Sequence, residues 1–380
     1  MNIAKLREMK VLQEPPRVSF ISKGKEITNF EFLSVSRKLV SALNDAGVKR
    51  GDRVIVQMPN CVEVLQSFGA IWRLGAIAVP VNYMMKDDEI AAIYEDSGPK
   101  AVISVIDFLP KIKAGQARAP GLETIILVDD KVPEGTFSFH ALVNNARETK
   151  EIVDTNDDEV AALIYTAGTT GAPKGVMLTH GSLYANSKMS YESTRMPHGM
   201  TNITVLPLCH AYGIAVANSG LFYERTTSVI LDTFDLETLF SSIDKYDARL
   251  VALVPTMYVF MLMYPNPQKH DLSRVKYWLC GSAPLAQATW NQFYERFGGR
   301  IYEGWGLSES GASGSANPCD GRPVKVGSIG IPYVGMTMGI MDDSGNLLGA
   351  GLSGEIVLKG PSLMKGYWKK PKETAGVIVD

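Results

Sequence analysis

The sequence predicts an α/β protein: two doubly wound, mostly parallel sheets covered by helices, followed by a small β-barrel-like subdomain. Three observations predict it. Strand and helix patterns alternate over residues 53–128, the alternation recurs over residues 202–305, and from Gly327 short β-rich segments are broken by Gly and Pro with no long helix between them. Alternation of this kind implies parallel strands, because a parallel pair needs a long crossover and that crossover is usually a helix. At 380 residues the chain exceeds one small core, so two or three packed units are expected.

Residues 53–58 alternate and are rich in Val and Ile, residues 62–74 carry apolar side chains at helical spacing, and residues 77–81 return to strand-like text. Strands at 101–105 and 124–128 continue the pattern, with a helical stretch at 87–94. The second round places strands at 202–206, 228–231, 250–254, 275–279 and 300–305, with helices at 236–246 and 286–297. Segments 335–341 and 354–359 then read as a small antiparallel barrel or sheet.

Composition narrows the function classes. A hydrophobic fraction of 46% and a charged fraction of 21% belong to a folded enzyme-like chain. A formal net charge of −2 gives no global attraction to nucleic acid or to an anionic membrane. The longest apolar run, residues 251–264, is too short to span a bilayer and contains Pro255, so no integral membrane segment is expected. The N-terminus has no uninterrupted apolar stretch after its basic residues, which argues against a cleaved secretory signal and makes the cytoplasm the expected location. Cys61, Cys209, Cys280 and Cys319 form no CxxC pair and are expected as reduced thiols. Cys209 adjoins His210, yet sequence neighbours usually point apart, so thiol catalysis is not the favoured reading.

Residues 165–175 read YTAGTTGAPKG and combine three glycines, three threonines and a lysine. Glycines let backbone N–H groups curve inward, hydroxyls donate further, and Lys174 adds a full charge, which together suit a phosphate. The Walker pattern is absent, and both flanks read as strands, so a strand, loop, strand hairpin is implied. Read alone, Gly-Thr-Thr-Gly is equally at home in a Gly-rich surface turn.

With three further segments, PLCHAYG from Pro207, YEGWGLSES from Tyr302 and GEIVLKGPSLMKGYW from Gly354, the chain resembles the AMP-binding, adenylate-forming superfamily of acyl-CoA synthetases, firefly luciferase and peptide-synthetase adenylation domains. The resemblance implies the acyl-CoA synthetase-like large N-terminal domain over residues 1–380, with approximate subdomains 1–200, 201–320 and 321–380 and no small C-terminal domain. It implies that Thr166, Ala167, Gly168, Thr169, Thr170, Gly171 and Lys174 hold ATP phosphates, Ala167 replacing the family's usual Ser or Thr. Thr166 and Glu309 would place Mg2+; a hard cation prefers such oxygen donors. Gly281, Ser282, Ala283 and Pro284 would wall the adenine, with Glu303 and Gly304 at its edge and Trp305 stacked on its face, while Gly306, Leu307 and Ser308 continue toward the α-phosphate. His210 would meet the carboxylate, beside Tyr212, Gly213 and Met257. Pro284 is also placed to open the following helix.

The implied reaction uses ATP, Mg2+ and coenzyme A: the acid attacks the α-phosphate, then a thiol attacks the mixed anhydride. Residues 204–220 hold no Asp or Glu to pair with an α-ammonium, and a buried unpaired ammonium is costly, so an amino acid is disfavoured as substrate. Ile214, Val216, Met257, Tyr258 and Phe260 are candidates for an apolar pocket, or for ordinary core. A fatty acid is the expected substrate and an aromatic acid the second. Two other readings stay open: an adenylation domain that loads a carrier protein, and a non-catalytic nucleotide-binding module. A homodimer is left open. The chain stops at Asp380, before the TGD segment, hinge and C-terminal domain of the family; the resemblance thus implies a truncated form, nearly inactive alone.

Overall fold

The computed structural model describes residues 1–166, 173–219 and 225–379. Along the chain, β1 (Val18–Ser22) and β2 (Lys25–Thr28) form a hairpin; β3 (Arg53–Gln57), β4 (Ile77–Pro80), β5 (Ala101–Ser104), β6 (Thr124–Leu127), β7 (Phe137–Ser138), β8 (Val160–Thr166) and β9 (Lys174–Thr179) follow. Next come β10 (Thr201–Thr204), β11 (Thr227–Ile230), β12 (Leu250–Leu253), β13 (Tyr277–Cys280), β14 (Ile301–Trp305), β15 (Ser315–Ala316) and β16 (Ile331–Pro332), then β17 (Thr337–Met341) and β18 (Glu355–Lys359).

Among the described residues these strands form three sheets. A seven-stranded sheet has the order β7-β6-β5-β3-β4-β8-β9, parallel except where β9 returns antiparallel to β8. A nine-stranded sheet has the order β16-β15-β14-β13-β12-β10-β11-β1-β2, parallel from β14 to β1. The strand text predicted for 53–128 and 202–305 lies in these two sheets. Strands β3 to β6 read as apolar runs because helices cover both faces of a parallel sheet: Val54, Ile55, Ala78, Val79, Val102 and Ile126 are all inaccessible to water.

Three details depart from the sequence reading. The N-terminal hairpin β1–β2 lies on the nine-stranded sheet, through parallel pairing of β1 with β11, so the two sheets draw on interleaved stretches of chain. The barrel-like text after Gly327 yields one two-stranded antiparallel sheet, β17–β18, while β16 extends the large sheet; too few strand-length segments lie there to close a barrel. Pro284 opens no helix, since the helix begins at Gln287 behind Ala286. No helix of the described residues is long and apolar enough to cross a membrane.

Two buried polar knots join the N-terminal helix Ile3–Gln13 to the body. Glu8 accepts hydrogen bonds from Arg37 at 2.6 Å and from Arg73, whose side chain is 2% exposed. Burial alone would raise the Glu8 pKa, yet the two guanidiniums outweigh it and hold the carboxyl below its usual range. His180, 1% exposed, accepts at Nδ1 from the Ile3 N–H at 3.3 Å, and its Nε2 finds no partner. Burial, helped by the N-terminal ammonium, lowers its pKa from 6.5 to about 4.

Glu8→Gln leaves the buried Arg73 guanidinium without a carboxylate and Arg37 with Glu148 alone, and should cost about 3–5 kcal/mol, read as a lower denaturation midpoint in urea. His180 stays neutral in the fold while the unfolded chain protonates, so its contribution is complete above about pH 6.5 and declines toward pH 4. His180→Asn, which keeps an acceptor for Ile3, should flatten the fall of melting temperature with pH across that window; an unchanged slope would assign the acid sensitivity elsewhere.

Candidate active site

The β8–β9 hairpin sets the first wall. In its antiparallel register Thr166 faces Lys174, so the last residue of one strand and the first of the next stand together at the mouth of the predicted phosphate loop. Both are half-buried. Ala167, Gly168, Thr169, Thr170 and Gly171 lie outside the described residues. Gly175 is tightly enclosed, because a Cβ there would come within 3.1 Å of the Tyr165 ring and 3.2 Å of Trp368.

A strand at the sheet edge exposes unpaired backbone groups. Here the segment 364–368 covers that edge. Gly366 O accepts from Met177 N–H at 3.0 Å, Lys365 N–H donates to Met177 O at 2.9 Å, and Trp368 N–H donates to Gly175 O at 2.7 Å. Asp96 anchors the same segment: its backbone oxygen accepts from Trp368 Nε1 and Lys369 Nζ, and its carboxylate accepts from Tyr165 at 2.6 Å. At the other end Met364 N–H donates to Glu309 O at 2.7 Å, which ties β9 to the turn that follows β14 in the other sheet.

Tyr367 completes that tie. Its hydroxyl donates to Glu309 Oε1 at 2.7 Å, and the Lys174 ammonium sits over its ring, 5.2 Å from the centroid. Burial, followed by the neighbouring Glu309, pushes the phenol pKa well above its usual value, so it stays a donor. Lys174 and Glu309, 135 residues apart in sequence, therefore share one side chain. In the sequence Tyr367 lies inside a matching segment, marked only by its place next to Trp368 in GYW.

The turn bearing Glu309 is held by several hydrogen bonds. Leu307 N–H donates to Ser310 Oγ at 3.0 Å and Ala312 N–H to Leu307 O at 2.8 Å, while Asn186 donates to Ser313 Oγ at 2.6 Å and to Gly311 O. Gly306 is required by close approach: a Cβ would strike the Ala312 carbonyl at 2.5 Å. Ser308 and Trp305 are half-buried and Leu307 is exposed. Gly281 and Gly304 lie side by side, past and at the C-terminal ends of β13 and β14, where ligands bind in open parallel sheets. Ser282 adopts a left-handed backbone (φ 71°), unusual for a residue with a side chain, and is exposed with Ala283 and Pro284. Glu303 is buried and one of its oxygens accepts from Gly327 N–H at 3.1 Å.

On the other side, the loop 205–210 follows β10. Asn60, buried and unremarked in the sequence, grips it: the side-chain amide donates to Val205, Leu206 and Leu231 oxygens and accepts from Leu208 N–H at 2.8 Å. Gly213 presses on that loop so closely that a Cβ would lie 2.0 Å from Leu208 O. His210 is exposed, though the protein around it partly desolvates the ring and lowers its pKa. Tyr212 is half-buried, with its pKa raised by burial, and Met257 packs on the nine-stranded core. Tyr258 belongs wholly to that core, donating to Leu279 O and meeting Trp278 and Phe293 edge-on. All four cysteines are free and buried, and burial pushes the Cys209 thiol up to about 12, so no thiolate stands ready beside His210.

The residues fit a Mg2+ ion carried on phosphates. No group of three or more His, Cys, Asp or Glu side chains among the described residues could cage a metal. The carboxylate of Glu309 and the hydroxyl of Thr166 are hard oxygen donors, the type Mg2+ accepts where phosphates and water supply its other ligands.

A family profile described as AMP-binding enzyme matches residues 8–368. The chain is 32% identical over 398 residues to the long-chain-fatty-acid–CoA ligase of Bacillus subtilis, covering 96% of this chain and 70% of that one. It is 30% identical over 389 residues to 4-coumarate–CoA ligase 2 of Oryza sativa, covering 97% and 68%. Among solved structures, ATP-bound MatB from Rhodopseudomonas palustris superposes with a TM-score of 0.88 at 28% identity, over 100% of this chain and 74% of that one. The N-terminal domain of FACL13 from Mycobacterium tuberculosis superposes with a TM-score of 0.90 at 25% identity, over 100% and 94%. Matching segments, architecture and relatives agree, and the chain belongs to the AMP-binding enzyme family of adenylate-forming ligases.

Proposed function

We propose that the protein activates a carboxylic acid with ATP and transfers the acyl group to coenzyme A, and that the acid is a fatty acid. The observation that carries the reading is the convergence of Lys174 and Glu309 on Tyr367 at the mouth of the β8–β9 hairpin. A cation and a carboxylate held there, without a protein nucleophile, suit a reaction run by positioning and electrostatics.

The substrate carboxylate oxygen attacks the α-phosphorus in line, the bond to the bridging oxygen breaks, and pyrophosphate leaves. The CoA sulfur then attacks the acyl carbon and AMP departs, the thiol proton passing to solvent. Lys174 holds the phosphate charge, and Thr166 with Glu309 would hold Mg2+, which supplies charge neutralisation on the phosphates. The adenine would lie along Gly281–Pro284 and Glu303–Trp305. Ala167 to Gly171 would complete the phosphate cradle and Gly306, Leu307 and Ser308 the α-phosphate side. His210, neutral near pH 7, would face the carboxylate, beside Tyr212, Gly213 and Met257.

The absence of acidic side chains in residues 204–220 argues against an α-amino acid, the Bacillus relative supports a fatty acid, and the 4-coumarate relative supports aromatic acids as the second class. The test, made on the full-length protein, is turnover of a panel of straight-chain, aromatic and α-amino acids with ATP, with and without CoA. CoA-dependent thioester formation, fastest with straight-chain acids, is expected; turnover of α-amino acids alone ends the proposal. Acyl-AMP without any CoA thioester would point to a carrier-protein loader, and ATP binding without pyrophosphate exchange to a binding module. Lys174→Ala and Glu309→Gln should each lower the exchange rate by about 10²–10³-fold at unchanged melting temperature.

A further inference from the structure

We propose that Tyr367 is a positioning residue of the nucleotide site: it orients Glu309 for a phosphate-bound metal and keeps Lys174 from pairing with that carboxylate. The inference rests on the nucleotide reading above. It starts from an electrostatic problem. A lysine and a glutamate placed beside one cleft attract, and a direct ion pair would occupy both groups that the ligand needs.

Tyr367 answers it with its two chemically distinct parts. The hydroxyl takes Glu309 Oε1, and among the described residues no other hydrogen bond holds that carboxylate, which leaves Oε2 for a ligand. The ring face takes the Lys174 ammonium at 5.2 Å, inside the range of cation–π attraction. Among the described residues no carboxylate pairs with Lys174, so its charge is held in place without being neutralised. The aromatic ring thus stands as a spacer between opposite charges.

A spacer must itself be fixed. Tyr367 is 6% exposed, it bridges Val176 on β9, and its N–H donates to Thr374 Oγ1 at 2.9 Å. Both neighbours in the chain are tied to β9 backbone, and Met364 is tied to the Glu309 carbonyl. The phenol is therefore set by main-chain bonds to the two elements whose side chains it separates. Second partners that orient a metal-binding carboxylate change metal affinity about 10- to 100-fold when removed.

The experiment is a titration with ATP in saturating Mg2+ and in EDTA, with melting temperatures, for wild type, Tyr367→Phe, Tyr367→Leu, Glu309→Gln and the Tyr367→Phe/Glu309→Gln double variant. Tyr367→Phe keeps the ring and loses the hydroxyl. It should lose roughly tenfold or more of the affinity that Mg2+ adds, with binding in EDTA unchanged, and should add nothing to Glu309→Gln. Tyr367→Leu should weaken binding in EDTA as well, because Lys174 is free to swing onto Glu309. Tyr367→Phe with the full Mg2+ gain overturns the proposal. So does an equal loss with and without Mg2+ accompanied by a lower melting temperature, which marks a merely structural tyrosine. Wild-type protein whose ATP binding gains nothing from Mg2+ overturns the nucleotide reading, and this inference with it.

Discussion

The site depends on the pairing of residues 364–368 with the open edge of β9. Without that pairing β9 would present bare backbone groups, and the turn carrying Glu309 would lose its Met364 and Tyr367 ties to the hairpin carrying Lys174. A short stretch of chain with no secondary structure of its own becomes the bracket between two sheets. Its side chains are anchored on both sides, Trp368 and Lys369 on Asp96 and Tyr367 on Glu309.

The same logic governs the opposite wall, where Asn60 uses one side-chain amide to hold the ends of β10 and β11 and the loop toward His210. Buried polar groups are stabilising only when satisfied, and such groups specify a single arrangement more sharply than apolar contacts do. Both walls are thus built from hydrogen bonds already made within the protein. For chemistry that needs no protein nucleophile this is the relevant property, since fixed donors and charges lower a barrier without reorganising during the reaction. The raised pKa of Cys209 and the lowered pKa of His210 agree: neither is poised as an ionic catalyst.

Much of this was legible in the chain. Apolar periodicity located the strands of both parallel sheets, because a strand buried on two faces has no freedom to be polar. The strand-like flanks of residues 165–175 indicated a hairpin, and the Thr166–Lys174 register bears it out. The short strands β15 and β16, two residues each, and the allegiance of β1 and β2 to the nine-stranded sheet were not readable, since strand partners are chosen by packing across distant segments. Tyr367 and Asn60 escaped for the same reason: their partners lie 58 residues and about 150 residues away.

By itself, then, the sequence determined the layered α/β class and the family segments. It did so because burial periodicity and local backbone chemistry are properties of short windows. Only the tertiary structure decided which of those segments meet, that one tyrosine separates Lys174 from Glu309, and that the text after Gly327 makes a two-stranded sheet. Those outcomes follow from long-range hydrogen bonding and edge pairing, in which each group's partner is chosen in space and leaves no mark in its own neighbourhood of the chain.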